Sequence, residues 1–235
     1  MLLIILYTHR RPFYAHRSLS ALLDNIDHQD MRIHVADDAS DVKDINMLMD
    51  VAMSDSRVRA GSSSQAGGRG YGASRNRAMA VVRKMKSPID AILHLEDDWE
   101  LTRPFDPSPH IEFLQSHDGA NCIRLGYLGT TQPLVMMTVH HPSAGKMYYH
   151  LLPDSSEPHV FAGHPRLTTL RYEHNVGDWP NSMNPGQVEF AVARRREARE
   201  GVYWPAELPA TGGLFDHIGT IQARTDQQEE EDVPQ

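Results

Sequence analysis

The sequence predicts an α/β fold in which a mostly parallel central sheet is flanked by helices. Two observations carry this. Over the first hundred residues, short apolar runs of strand length alternate with helix-length segments, the spacing of βαβ units. Three of those runs stop abruptly at polar groups, in Thr8–Arg11, Asp37–Ser40 and Glu96–Glu100. Open sheets of this class place their ligands beyond the C-terminal ends of the strands.

Taken in order, Leu2–Tyr7 is continuously apolar and reads as a central strand buried on both faces. Tyr14–Asn25 is a helix with Leu19, Leu22, Leu23 and Ile26 on one stripe. Met31–Ala36 is a second strand, Asp41–Ser54 a second helix and Arg57–Ala60 a short third strand. A Gly/Ser loop over Gly61–Gly72, with glycines at 67, 68, 70 and 72, leads into a helix over Ala73–Lys86 and a strand over Ala91–Leu95. Beyond Pro104 the pattern weakens. Ser108–Ser116 suggests a helix, and Asn121–Gly126, Leu134–His141 and Tyr148–Leu152 suggest strands. Pro153–Pro185 reads as loops. Gln187–Glu200 is a helix stopped by Gly201, and Val202–Trp204 is extended.

The 235 residues suffice for one domain with a substantial core. One domain is expected over 1–225, with 1–104 as the ligand-binding half and 105–225 facing the second substrate. The formal net charge is −8, but residues 226–235 hold five acids and no base and are expected to be a disordered tail. The remaining residues carry 23 basic and 26 acidic side chains, a balance of −3. That gives no general signal for nucleic acid, although Arg57–Lys86 contains eight Lys/Arg and no acid. Cys122 is the only cysteine, which excludes an internal disulfide and fits a reducing, cytoplasmic compartment. No apolar run is long enough to span a membrane.

The stretch Leu93-His94-Leu95-Glu96-Asp97-Asp98-Trp99-Glu100 is the focus of the chain. Adjacent carboxylates repel and resist burial, so three of them closing an apolar strand call for a counter-charge. A divalent cation supplies one, because hard oxygen ligands hold Mg²⁺ or Mn²⁺ while the cation also binds a diphosphate.

Four motifs together resemble the GT-A glycosyltransferases, especially the large inverting family often called family 2. They are Leu6-Tyr7-Thr8-His9-Arg10-Arg11-Pro12, Asp37-Asp38-Ala39-Ser40-Asp41, Gly72-Ala73-Ser74-Arg75-Asn76-Arg77-Ala78 and Glu96-Asp97-Asp98. The resemblance runs in order over 1–100 and is fragmentary over 185–219. It implies a hexosyl-type transferase using a nucleotide-sugar donor, most commonly UDP-linked, with Mn²⁺ or Mg²⁺. Thr8 and Asp38 would contact base and ribose, with Arg10 and Arg11 in the same loop region. Arg75 or Asn76 would reach the nucleotide from the third helix. Glu96 and Asp97 would border the ribose or a metal-bound water, and Asp98 would ligate the metal. The family more often writes Asp-x-Asp, so the first acid here is one methylene longer. His217, in Phe215-Asp216-His217-Ile218-Gly219, matches the late histidine that such enzymes supply to the cation. Carboxylate plus imidazole favours Mn²⁺ over Mg²⁺.

An inverting transfer requires a base for the acceptor hydroxyl. The family places an acid at the opening of a late helix, which Glu189 matches; Asp178 and Glu173 are reserves. The glycine loop and the helix behind it offer backbone N–H groups to a diphosphate. Arg77 and Arg83 read as solvating a helix face, and Trp179 and Trp204 as sugar-stacking or core residues. The acceptor could be a glycan, a protein, a small molecule or a hydroxymethylated base in DNA, as in phage modification systems, acting then in the host-cell cytoplasm. Two other readings are a nucleotidyltransferase and an inactive sugar-nucleotide-binding module. The first would show glycines directly after the first strand, where Thr8–Pro12 has none; the second would be expected to lose the metal acids.

Overall fold

β1 (Leu2–Thr8) is buried along its whole length because strands flank it on both sides and helices cover both of its faces. The computed structural model describes residues 1–64, 68–127, 132–141, 145–157, 161, 163–181, 184–208 and 213–219. The acidic segment 226–235, Gly67 and Gly212 lie outside the described residues.

The chain continues through α1 (Pro12–Asn25), β2 (Met31–Asp37), α2 (Val42–Ser54), β3 (Val58–Ser63), α3 (Tyr71–Val82) and β4 (Ala91–Glu96). β1 pairs in parallel with β2 and β4, and β2 with β3. Side chains alternate across the sheet, as the strand period requires. Leu2, Ile4 and Leu6 pack in one core with Leu19, Leu22 and Leu48 from α1 and α2. Leu3, Ile5 and Tyr7 pack in the other with Ala78, Met79 and Val82 from α3.

β5 (Trp99–Leu101), α4 (Ser108–Ser116), β6 (Cys122–Arg124), β7 (Met136–His141), β8 (Lys146–Leu151), β9 (Arg166–Thr168), α5 (Leu170–Val176), α6 (Pro185–Ala193), α7 (Arg196–Arg199), β10 (Val202–Pro205) and β11 (Phe215–His217) complete the chain. The main sheet has nine strands in the order β3-β2-β1-β4-β9-β6-β10-β8-β7. β9 runs antiparallel between β4 and β6, and β11 pairs antiparallel with β5 in a separate two-stranded sheet.

The α/β class and the elements up to residue 96 agree with the sequence. Five details differ. β3 extends to Ser63 and takes part of the expected glycine loop. α3 begins at Tyr71 and ends at Val82 rather than covering Ala73–Lys86. The segment expected as loops contains β9 and α5. β9 has only three residues, too few to show a period, and exists because two strands flank it. α5 had a readable signal: the Thr169 hydroxyl accepts from Tyr172 N at 3.0 Å, and Gly177 follows the last turn with φ 73°. The helix expected over Gln187–Glu200 is two, α6 and α7, separated at Arg194 and Arg195. β5 and β11 were not expected as strands; together they bring His217 to the end of β4.

Candidate functional site

The three polar strand ends meet at one edge of the sheet because β2, β1 and β4 are parallel neighbours in register. Thr8 stands opposite Asp37, and Tyr7 opposite Glu96. Carboxylates accumulate there, and arginines meet them. Arg11 donates to Asp98 Oδ2 from Nη1 and Nη2 at 2.9 and 3.0 Å, and its Nη1 lies 3.3 Å from Asp97 Oδ1. Arg75 Nη2 donates to Glu96 Oε1 at 2.9 Å, and Arg77 Nη2 lies 3.7 Å from Asp38 Oδ1. Arginines from the loop after β1 and from α3 therefore supply part of the counter-charge that the acid triplet calls for. Arg77, expected to solvate a helix face, instead donates to the Asp37 carbonyl at 2.9 Å.

Asp97 is buried. Thr8 Oγ1 donates to its Oδ2 at 3.0 Å and His9 N at 3.4 Å. Burial pushes its carboxyl up to about 7, with Arg11 opposing and Asp98 adding to the rise. Asp98 Oδ2 is approached by His217 Nε2 at 3.2 Å, and Ile218 N donates to the Asp98 carbonyl at 2.8 Å. A Cβ on Gly219 would meet Asp98 Oδ2 at 2.4 Å, so only glycine lets the chain pass this close.

Asp38 is buried and accepts from Arg69 N at 3.0 Å and Gly70 N at 2.9 Å. Two of the glycine-loop amides, those of Arg69 and Gly70, are thus bonded to Asp38. Arg10 is held against the β2–α2 connection, with its N donating to Ser40 Oγ at 2.9 Å and its Nε to Ala39 O at 3.2 Å. Arg10 and Ala39 both adopt positive φ, 50° and 75°. Such strained non-glycine residues persist where surrounding contacts hold them, commonly at sites.

A second cluster adjoins the first. Tyr71, the opening residue of α3, donates to Glu96 Oε1 in a short bond and lies 3.4 Å from Glu189 Oε1 on α6. Arg75 is buried among the rings of Tyr7, Trp179 and Tyr71, with its guanidinium carbon 4.2, 4.3 and 4.6 Å from their centroids. Burial and then Glu96 push the Glu189 carboxyl up to about 7, against Arg75, Arg166 and the Tyr71 hydroxyl. Gly163 makes room for Glu189, since a Cβ there would lie 2.1 Å from Oε1. The Gly163 carbonyl accepts from the buried Arg166 at 3.0 Å and Arg124 at 3.4 Å. Glu189 thus lies beside Glu96 through Tyr71, and His217 lies beside Asp98, two residues further along the chain from Glu96.

Other residues have other places. The Asn76 amide bonds twice to the Trp179 backbone, at 2.7 and 2.9 Å, and so fixes that segment rather than facing outward. Glu173 is buried with its Oε1 3.0 Å from His94 Nε2, while Asp178 is exposed and pairs with Arg83 at 3.4 Å. Trp204 is core, bonded to Gly126 O at 3.1 Å. Tyr71 and Gly163 were missed by the sequence reading, because nothing local marks a tyrosine or glycine whose partners lie elsewhere in the chain.

The basic stretch is largely neutralised in space. Arg57 pairs with Asp55, Arg59 with Asp30, Arg75 with Glu96, Arg77 with Asp38 and Arg83 with Asp178. Among the described residues no group of three or more His, Cys, Asp and Glu forms a complete metal cage. Asp98 Oδ2 and His217 Nε2 nonetheless fit two neighbouring positions around one cation. Their 3.2 Å separation is close to the roughly 3 Å between adjacent corners of an octahedron with ligands about 2.1 Å from its centre.

No family model matches the sequence, and no curated protein matches it. Solved structures do. Staphylococcus aureus TarS 1-349 superposes with a TM-score of 0.62 at 13% identity, over 91% of this chain and 59% of that one. Its complex with UDP gives 0.64 at 12% identity and the same coverage. The mannosyltransferase PcManGT from Pyrobaculum calidifontis, in complex with GDP-Man and Mn²⁺, gives 0.52 at 10% identity, over 81% of this chain and 50% of that one. The chain thus spans about 59% of TarS 1-349. The fold is the GT-A glycosyltransferase fold, as the four motifs implied.

Proposed function

We propose that this protein transfers a sugar from a nucleoside-diphosphate donor to an acceptor hydroxyl, with a divalent cation and with inversion at the anomeric carbon. The observation that carries the reading is the approach of His217 to the Asp98 oxygen at the end of β4, with Glu189 adjoining through Tyr71. Asp98 and His217 would hold Mn²⁺, or Mg²⁺, which when bound stabilises the charge developing on the departing diphosphate. Arg11, already on Asp98, adds a fixed positive charge at that place. Asp38 shapes the nucleotide side by tying the Arg69–Gly70 backbone to the end of β2, with Thr8, Arg10 and Asp97 beside it. Arg75 and Asn76 act one step back, holding Glu96 and Trp179 in position. UDP and GDP-Man in the TarS and PcManGT complexes support a nucleotide-linked donor.

Glu189 is the base. It is half-buried, burial and Glu96 push its carboxyl up to about 7, and its Oε1 lies 3.4 Å from the Tyr71 hydroxyl. A base works in its deprotonated form, and the raised carboxyl gives it useful proton affinity at neutral pH. Pairing of Arg57, Arg59, Arg75, Arg77 and Arg83 with acids weakens the feature that favoured DNA, so a saccharide or protein acceptor is the better reading.

The test is incubation with UDP-glucose, UDP-galactose, UDP-N-acetylglucosamine and GDP-mannose plus Mn²⁺, scoring free nucleoside diphosphate. Release that requires the cation and disappears in EDTA is expected. Absence of both cation-dependent release and cation-dependent nucleotide binding with every donor overturns the reading.

A further inference from the structure

Four aromatic rings from four separate chain segments converge beside Asp98. Trp99 comes from β5, Tyr127 from the chain after β6, His164 from the turn before β9 and His217 from β11. The His164 ring lies 4.8 Å from both Trp99 and Tyr127, and Trp99 lies 5.7 Å from Tyr127 and 5.0 Å from His217. Interplanar angles of 32–53° make the group a tilted bowl rather than a stack. Trp99 is its buried floor, Tyr127 and His164 are half-buried, and His217 is exposed.

Core packing alone does not account for this group, since three of its four members reach the surface and each carries a polar edge. The backbone beneath is over-determined. His164 sits at φ +52° directly after Gly163 at φ +63°, a pair of left-handed residues. Arg166 and Arg124 hold the Gly163 carbonyl, and Trp204 holds the Gly126 carbonyl, where a Cβ would approach His164 Cβ to 3.2 Å. A non-glycine residue kept in that conformation by so many contacts is characteristic of a site. The same turn touches Glu189 through Gly163, so the bowl borders both the Asp98–His217 pair and the Glu189 carboxyl.

We infer that Tyr127 and His164, backed by the buried Trp99, form a saccharide subsite in which a pyranose lays its C–H face against their rings and directs its hydroxyls to their polar edges. Aromatic rings offer apolar area with little rotamer freedom to lose, and imidazole and phenol groups add hydrogen bonds at the rim. The inference rests on the glycosyl-transfer reading, and the ring could belong to the donor or to a saccharide acceptor.

Saturation-transfer NMR separates these cases. The donor arm uses the three UDP-sugars and GDP-mannose with diamagnetic Mg²⁺. The acceptor arm uses the methyl glycosides of glucose, galactose, N-acetylglucosamine and mannose in the presence of UDP. Sugar C–H protons are expected to saturate in the wild type in at least one arm and to lose most of that saturation in Tyr127→Ala and in His164→Gly. The second variant relieves the positive φ and so preserves the fold, and His164→Phe should retain the signal. Sugar protons that stay unsaturated in both arms, or that saturate equally in the variants, overturn the subsite even if the nucleoside protons saturate normally. If no nucleoside protons saturate in any donor, the glycosyl-transfer reading fails, and the methyl glycosides still decide the bowl.

Discussion

Arg11 donates from both terminal nitrogens to a single oxygen of Asp98, the oxygen that His217 also approaches. The proposed cation ligand is therefore held in place before any cation arrives. Its removal has a structural consequence that carboxylate repulsion alone would not suggest.

Asp98→Ala leaves the half-buried Arg11 with Asp97 as its remaining acid, 3.3 Å away. The variant should lose about 1–2 kcal/mol of stability, the scale of one charged hydrogen bond with partial replacement. It should also lose all Mn²⁺ dependence of UDP affinity. Calorimetric titration of UDP with and without Mn²⁺ checks this, and an undiminished Mn²⁺ effect in the variant rejects Asp98 as ligand.

Asp38 is predicted to act through the backbone it holds. Asp38→Ala frees the Arg69 and Gly70 amides and should weaken UDP binding by roughly 1–3 kcal/mol, with a parallel fall in melting temperature. Asp38→Asn keeps one acceptor oxygen and should lose less of both. Unchanged affinity in Asp38→Ala, measured by calorimetry, separates the residue from nucleotide recognition.

Glu189→Gln preserves shape and removes basicity, so kcat should drop about 10²–10⁴-fold while donor affinity holds. In the wild type, rate should fall as pH drops below about 7, where the Glu189 carboxyl gains its proton. The variant should lack that limb. A product that retains the donor's anomeric configuration, read by NMR, excludes the single-displacement role.

Stability against pH should contain two opposed contributions. Burial pushes His34 and His110 down to about 4. Between that value and the unfolded histidine's ordinary value of about 6.5 the unfolded chain binds more protons, and acidification destabilises. Asp97 and Glu189, both pushed up to about 7, do the reverse: the folded chain holds their protons first, and acidification stabilises until the unfolded carboxyls titrate. Variants expose each part. From pH 7 to 5, His110→Phe should gain stability relative to wild type, and Glu189→Gln should lose it, each by up to about 1.4 kcal/mol per pH unit. Denaturant melts at several pH values measure this, and two parallel curves would refute the assignments.

The sequence by itself determined the α/β class, the elements through residue 96 and the polar strand ends. Each of these is written locally: an unbroken Leu2–Tyr7 run must be buried on both faces, and an acid triplet after Leu95 must lie at an exit from the core. His217 and Glu189 were legible only through their resemblance to a family pattern. The tertiary structure alone decided which charge meets which. Arg75 faces Glu96 across 21 positions, Arg11 faces Asp98 across 87, and Tyr71 lies near Glu189 across 118. Likewise only pairing on both edges makes Arg166–Thr168 a strand, and only four remote segments together make the ring cluster around His164. Hydrophobic periodicity reports how each residue relates to its near neighbours along the chain. The partners of buried charges and rings are fixed by strand order and loop closure, which no local pattern encodes.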